Sequence, residues 1–414
     1  MKIIHTSDWH LGHSLKGFDR HYEHQCFLDW LLVQLREQDV DALLATGDIF
    51  DNANPSAAAQ KQLYRFLKAA REAAPHLRVV MIAGNHDSPG RLEAPSPLLD
   101  LFDTTVVGQT GRNGAGEIDL ESLIVPLHDR EGLRRAWCLA VPFLRPGDLP
   151  RVETDGDTYL AGVDALYRDA LQQVLLKRQA GEAILAMGHC HLDGSAVSAD
   201  SERRIVVGGL EALSVAMFDK HIAYAALGHL HLPQSVGGRH WVRYSGSPLP
   251  LSFSEIEYPH QVVVLELEGE AVKYIDSLRV PRAVDLLRIP TRPTPLPEVL
   301  AQLEQWTAAE PELPEERWPY LEVRVLFDAP EPGARVAIEA ALAGKALRLA
   351  AIDVSYARVQ RAANEGAGSL QGDLSRLQPE DLLQRHYQNQ YGSALPEELL
   401  QAFQTLLLET GDEA

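Results

Sequence analysis

The chain has little cysteine: Cys26, Cys138 and Cys190 are its only three in 414 residues. They are odd in number, widely spaced and form no CxxC pair, which argues against a disulfide framework. Cys190 sits between two histidines and reads as a small semi-buried thiol rather than a ligand. Also missing is any apolar run near the roughly 18–20 residues of a membrane span. The stretch Met1 to Thr6 is too short in apolar character for a secretory signal, so a cytoplasmic protein with no membrane partner is expected. Basic residues are scarce as well: 38 Lys and Arg face 58 Asp and Glu, for a net charge of −20. That balance excludes a broad basic footprint for nonspecific nucleic-acid binding. A polyanionic substrate would need a local patch, metals or a partner to hold it.

What is present is a core-forming composition, 45% hydrophobic, at a length that favours two or three domains. Up to about residue 275, short strand-like runs alternate with helical periodicity, the pattern of an α/β layered domain. Lys2 to Thr6, Ala42 to Ala45 and Val79 to Ile82 read as strands. Between them, Phe27, Leu28, Leu31, Leu32 and Leu35 recur at helical spacing, and Ser56 caps a helix running to Ala74. Trp137 to Phe143, Ala183 to Met187, Ala223 to Leu227, Trp241 to Tyr244 and Gln261 to Leu267 read as later strands, the last closing the domain. Gly108 to Gly116 reads as a surface turn. A Pro-rich segment, Pro290 to Pro297, opens a small α+β unit within 276–360, with strands at Tyr320 to Phe327 and Leu347 to Tyr356 around a helix at Ala334 to Leu342. After a Gly-rich linker, 374–414 reads as two amphipathic helices with more apolar surface than a lone pair can bury.

Five motifs punctuate the strand ends: Asp8-x-His10, Gly47-Asp48-x-x-Asp51, Gly84-Asn85-His86-Asp87, Gly188-His189 and Gly228-His229-Leu230-His231. Each alone is a common turn sequence. Together, in an order that fits a single sheet, they supply the oxygen and imidazole donors that two divalent ions need. Asp48 can bridge ions about 3.5–4 Å apart. Asp8 and His10 share one short loop, Asn85 adds a neutral oxygen, and His189, His229 and His231 complete the set. Two ions offset by Asp8, Asp48 and a hydroxide leave net +1, suited to a monoanionic phosphodiester. His86 follows a ligand directly and is the candidate for proton donation to the leaving oxygen, with Asp51 orienting it. Lys16, Arg20 and Arg91 lie beside ligand motifs, as solvated charges or as contacts to substrate phosphates. His191 reads as structural, and His13, His21 and His24 read as surface residues. These motifs leave two other classes open: a hydrolase of small phosphodiesters, and a scaffolding subunit with a vestigial site.

Thr6-Ser7-Asp8-Trp9-His10-Leu11-Gly12, Gly84-Asn85-His86-Asp87-Ser88 and Tyr244-Ser245-Gly246-Ser247-Pro248-Leu249-Pro250-Leu251-Ser252-Phe253 resemble the calcineurin-like metallophosphoesterases, specifically the SbcD family of DNA nuclease subunits. The resemblance covers nearly the whole chain. It implies a four-layer αββα sandwich (1–275), a capping domain (276–360) and a C-terminal helix pair (374–414) that binds an SbcC-type ATPase. It implies one manganese on Asp8, His10, Asp48 and His231, and a second on Asp48, Asn85, His189 and His229. It further implies ATP-dependent 3′-to-5′ exonuclease and hairpin-cleaving activity on DNA, in a two-plus-two heterotetramer built on a homodimer. All the implied ligand positions are filled.

Overall fold

The computed structural model describes residues 1–197, 212–308, 313–329 and 331–356, with scattered positions between 387 and 400. Residue contacts divide the chain into two units, Met1–Ala283 and Val284–Ala414.

In chain order the first unit begins with β1 (Lys2–Thr6), a small hairpin of β2 (Ser14–Leu15) and β3 (Phe18–Asp19), then β4 (Ala42–Thr46) and β5 (Arg78–Ile82). Next come β6 (Thr104–Val107), β7 (Ile124–His128), β8 (Arg134–Ala140) and β9 (Ala183–His189). It ends with β10 (Tyr224–Gly228), β11 (Gln234–Val236), β12 (Arg239–Tyr244), β13 (Gln261–Glu268) and β14 (Ala271–Arg279). These form two mixed six-stranded sheets, ordered β14-β13-β1-β4-β5-β6 and β11-β12-β10-β9-β8-β7. The strand β14 continues past residue 275 and pairs antiparallel with β13, so β13 does not end the sheet.

Strand alternation explains the layers. Ile3 and Leu44 point into a core shared with the second sheet, whereas Ile4 and Leu43 point the other way. That second face is covered by the helices His21–Glu37 and Ala57–Ala73, through Phe27, Leu28, Leu31, Leu63, Phe66 and Leu67. As the sequence indicates, Ser56 caps the second of these helices, accepting the Ala59 N–H at 3.2 Å. The helix Thr158–Lys177 covers the other sheet through Val163, Leu166, Tyr167 and Val174. The central strands β9 and β10 of the second sheet are buried on both faces, as expected for strands between layers.

The second unit carries a three-stranded sheet with β16 (Tyr320–Phe327) at its centre, flanked by β15 (Leu286–Pro295) and β17 (Arg348–Tyr356), all parallel. Helices Leu296–Gln305 and Ala334–Leu342 connect them, and Val299, Leu303, Leu321, Val323 and Ile338 form the core. The helix pair expected over 374–414 lies outside the described residues. The described part of this unit is strand and crossover helix. No helix among the described residues is long and apolar enough to cross a membrane.

Candidate metal centre

Five strand ends build the centre, and they come from both sheets rather than one. Asp8, Asp48 and Asn85 follow β1, β4 and β5 of the first sheet. His189 ends β9 and His229 follows β10, both in the second. The parallel strands of the two sheets deliver their carboxyl ends to the same place, where α/β folds collect ligands.

The loops are tightly constrained. Asp8 (φ 54°), His10 (φ 47°), Asp48 (φ 47°) and His229 (φ 102°) all hold positive φ. That region is costly for residues other than glycine and is found where surrounding structure imposes it for function. The imposing bonds are visible. The N–H of Asp8 donates to the Gly47 carbonyl at 3.0 Å, and that of His10 to the Asp48 carbonyl at 2.9 Å. The buried Asp87 carboxylate accepts the N–H groups of Ile49, Phe50 and Gly84, tying the Asp48 and Asn85 loops together. Gly84 has no room for a side chain: a Cβ there would lie 2.1 Å from Asp48 Oδ1.

Within this frame Asp48 Oδ1 accepts the His86 N–H at 2.9 Å. Its Oδ2 stands 3.6 Å from His10 Nε2 and 3.4 Å from His189 Nε2. His189 Nε2 also lies 2.9 Å, and His229 Nδ1 3.2 Å, from Asn85 Oδ1. Asp8 accepts from the His229 N–H at 2.9 Å and from Ser7 Oγ at 2.6 Å. Three groups emerge among the described residues whose donor atoms lie within 4.8 Å of one another: Asp8, His10 and His231; Asp8, Asp48 and His189; and His10, Asp51 and His86. The first two are buried throughout, whereas Asp51 and His86 of the third are half-buried.

Electrostatics suit cations. Burial would raise the Asp48 carboxyl, but the neighbouring His189, His10 and His86 outweigh it and hold it well below the ordinary range. His189 responds in the opposite sense. Burial opposes its charge, yet Asp48, Asp8 and the Thr46 carbonyl bring it up to about 9. Burial pushes His10 and His229 down, leaving neutral imidazoles with a lone pair to offer. The buried His10 Nε2 has no hydrogen-bond partner among the described residues. An orphaned nitrogen facing the Asp48 carboxylate fits a divalent cation, as does the oxygen–imidazole donor set.

The outer contacts are where sequence reasoning is incomplete. His231 Nδ1 meets Glu255 Oε1 at 2.8 Å, and Glu255 is fully buried with its other oxygen on the Leu251 N–H. Sequence reading misses Glu255. Its signal is an acid just beyond the Ser252-Phe253 motif, of the kind a metal-binding imidazole needs on its far nitrogen. Asp51 faces His10 rather than His86: its Oδ1 lies 3.3 Å from His10 Nδ1 and 3.0 Å from His13 Nδ1. His86 is held by the backbone carbonyl of Asp51, 2.8 Å from Nδ1. His13 is therefore no surface bystander, since its Nε2 also reaches the Leu251 carbonyl at 3.1 Å. Nor is His24 on the surface, being fully buried.

A cleft of about 410 Å³ opens on this side, lined by His10, His13, Lys16, Asp51, His86 and His231. Of the three cations considered for substrate, only Lys16 lines it. Arg20 is fully buried, paired with Glu23 and bound to the Pro250 carbonyl, so it is a structural strut. Arg91 donates to Asn54 Oδ1 at 2.6 Å and is absent from the cleft lining. Cys190 belongs to none of the ligand groups among the described residues, and desolvation pushes its thiol up to about 12.

The calcineurin-like phosphoesterase family model matches residues 1–233. The chain belongs to that family. A second model, the Type 5 capsule protein repressor C-terminal domain, matches residues 282–391. Within the calcineurin-like phosphoesterases, the chain is 41% identical over 388 residues to SbcD of the SbcCD nuclease from Rhodobacter capsulatus, covering 92% of this chain and 93% of that protein. It is 34% identical over 321 residues to the SbcD of Escherichia coli K12, 76% of each chain. Against that of Bacillus subtilis it is 33% identical over 281 residues, 67% of this chain and 69% of the other. These relatives place the chain in the SbcD family of calcineurin-like phosphoesterases.

Proposed function

We propose that the chain is the nuclease subunit of an SbcCD-type complex, cleaving DNA phosphodiesters with two manganese ions. The observation that carries the reading is Asp48 Oδ2, placed 3.6 Å from one candidate ligand nitrogen and 3.4 Å from another. One ion would be held by Asp8, His10, Asp48 and His231, the other by Asp48, Asn85, His189 and His229. When bound, the pair supplies Lewis acidity at phosphorus and an acidified water. His189 would serve as a ligand in its neutral form, giving up the proton it shares with Asp48.

The chain's own residues supply the rest. His86 lines the cleft with its ring 4.8 Å from that of His10. With Nδ1 donating to the Asp51 carbonyl, Nε2 is the atom that holds or passes a proton to the leaving oxygen. Asp51 and Glu255 hold His10 and His231 by their Nδ1 atoms, which leaves each Nε2 for metal. Lys16 at the cleft wall would attract a phosphate. An SbcC-type ATPase, bound through 374–414, would contribute DNA attraction that a chain of net charge −20 lacks. The assembly is a two-plus-two heterotetramer acting as an ATP-dependent 3′-to-5′ exonuclease and hairpin endonuclease.

The test is cleavage of hairpin and blunt duplex DNA with manganese, ATP and the partner ATPase. His86→Ala should keep both metals while turnover falls about 10²-fold or more, the scale of lost acid–base catalysis. Manganese-independent cleavage, or an unimpaired His86→Ala enzyme, would refute the reading.

A further inference from the structure

Beyond the cleft that Lys16 lines, the His189 side of the centre carries an aromatic and a cation that the chemistry above leaves unused. After β8 the chain runs through Phe143, whose N–H donates to the Ala83 carbonyl at 2.8 Å, immediately before the Gly84-Asn85 loop. This bond fixes Phe143 against the centre. Its half-buried ring meets the His189 ring edge-on with centroids 6.4 Å apart. On it rests Arg145, its guanidinium carbon 5.2 Å from the ring centroid.

That guanidinium is half-exposed and has no carboxylate partner among the described residues. The nearby Asp148 turns its carboxylate to the Arg145 backbone N–H, at 2.8 Å, and in a chain with 58 acidic and 38 basic residues a guanidinium left without an acid needs a reason. Most arginines nearby in the sequence do have one: Arg134 pairs with Glu182, Arg135 with Asp129 and Arg168 with Asp164. A guanidinium stacked on an aromatic is also pre-organised. It loses less side-chain freedom when it binds, and its planar fork matches phosphate oxygens.

We propose that Phe143 and Arg145 form a substrate subsite in which Arg145 grips a non-scissile phosphate of a nucleic-acid strand and Phe143 holds the guanidinium in place. The inference rests on the nuclease reading and extends it, because a small diester has no second phosphate to offer. Lys16, on the His10 side, and Arg145, on the His189 side, would then hold the strand on both sides of the scissile bond.

The test compares manganese-loaded full-length chain, wild type and Arg145→Ala, on a single-stranded oligonucleotide and on bis(p-nitrophenyl) phosphate. Arg145→Ala should raise the oligonucleotide KM about tenfold, the scale of one charged phosphate contact. Its kcat, and both constants on the small diester, should stay put. Oligonucleotide affinity by fluorescence anisotropy should weaken in parallel. The slope of log affinity against log salt should fall by about 0.7, one phosphate contact on a single strand. Arg145→Lys should restore the salt slope and part of the affinity. Equal losses on both substrates, or an unchanged salt slope, would overturn the subsite. A wild-type chain that hydrolyses the small diester but neither binds nor cuts the oligonucleotide would refute the nuclease reading itself, and the subsite with it.

Discussion

The two halves of the metal centre are held by different means. On the His189 side the ring is fixed by main chain: its Nδ1 donates to the Thr46 carbonyl at 2.8 Å. On the His10 and His231 side the rings are fixed by carboxylates, Asp51 and Glu255. A carbonyl in a central strand cannot be removed by substitution, whereas each carboxylate can. One half is thus protected by the fold, and the other depends on two side chains and can be tuned separately. Asp48 faces both through one oxygen, Oδ2.

Gly84→Ala should break both halves at once and give the largest effect. Its methyl would meet Asp48 Oδ1 at 2.1 Å and the Asp48 backbone nitrogen at 2.3 Å, so the shared ligand must move. Displacing a reacting group by about an ångström costs roughly 10²-fold in rate, and here the metals are displaced too. Phosphodiesterase activity and metal content should both collapse; a variant with normal metal content would show that the loop yields elsewhere.

Intermediate effects should fall on one half only. Glu255→Ala and Asp51→Ala each remove the carboxylate behind one imidazole, a change that typically costs 10–100-fold in metal affinity. Calorimetric titration with manganese should resolve one weakened and one unaltered metal site in each variant. Glu255→Ala should be the more severe, because Glu255 is fully buried and also holds the Leu251 N–H. Equal weakening of both sites would mean the halves are coupled. The smallest effect belongs to Thr46→Ser, which keeps the carbonyl that holds His189 and should leave both affinities unchanged.

The same contrast explains what is legible in the sequence. The ligand loops announce themselves because the constraint is local: Gly47 and Gly84 stand next to ligands, and the donors recur at strand ends. Thr46 as an anchor is invisible, since any residue offers a carbonyl. Glu255 is joined to the centre only by folding, across 24 residues to His231, and His13, though three residues from His10, meets Asp51 across 38. Arg20 misleads for the opposite reason. It sits beside ligand motifs, but the helix it precedes turns it inward to Glu23. The strand β15 is hidden because Pro290, Pro293 and Pro295 interrupt its pattern, and an edge position is what tolerates them. The burial of β1 and β4 between layers is recoverable from their short apolar runs, but not the joining of two sheets at one centre, which no local pattern records.

Everything in this arrangement turns on Asp48 serving both halves. The most direct measurement is the manganese content of Asp48→Ala after exhaustive dialysis, set beside wild type, Asp51→Ala and Glu255→Ala. The arrangement predicts two ions retained by wild type, none by Asp48→Ala, and one tightly held ion in each of the other two variants. An Asp48→Ala chain that still holds one ion with wild-type affinity would contradict it.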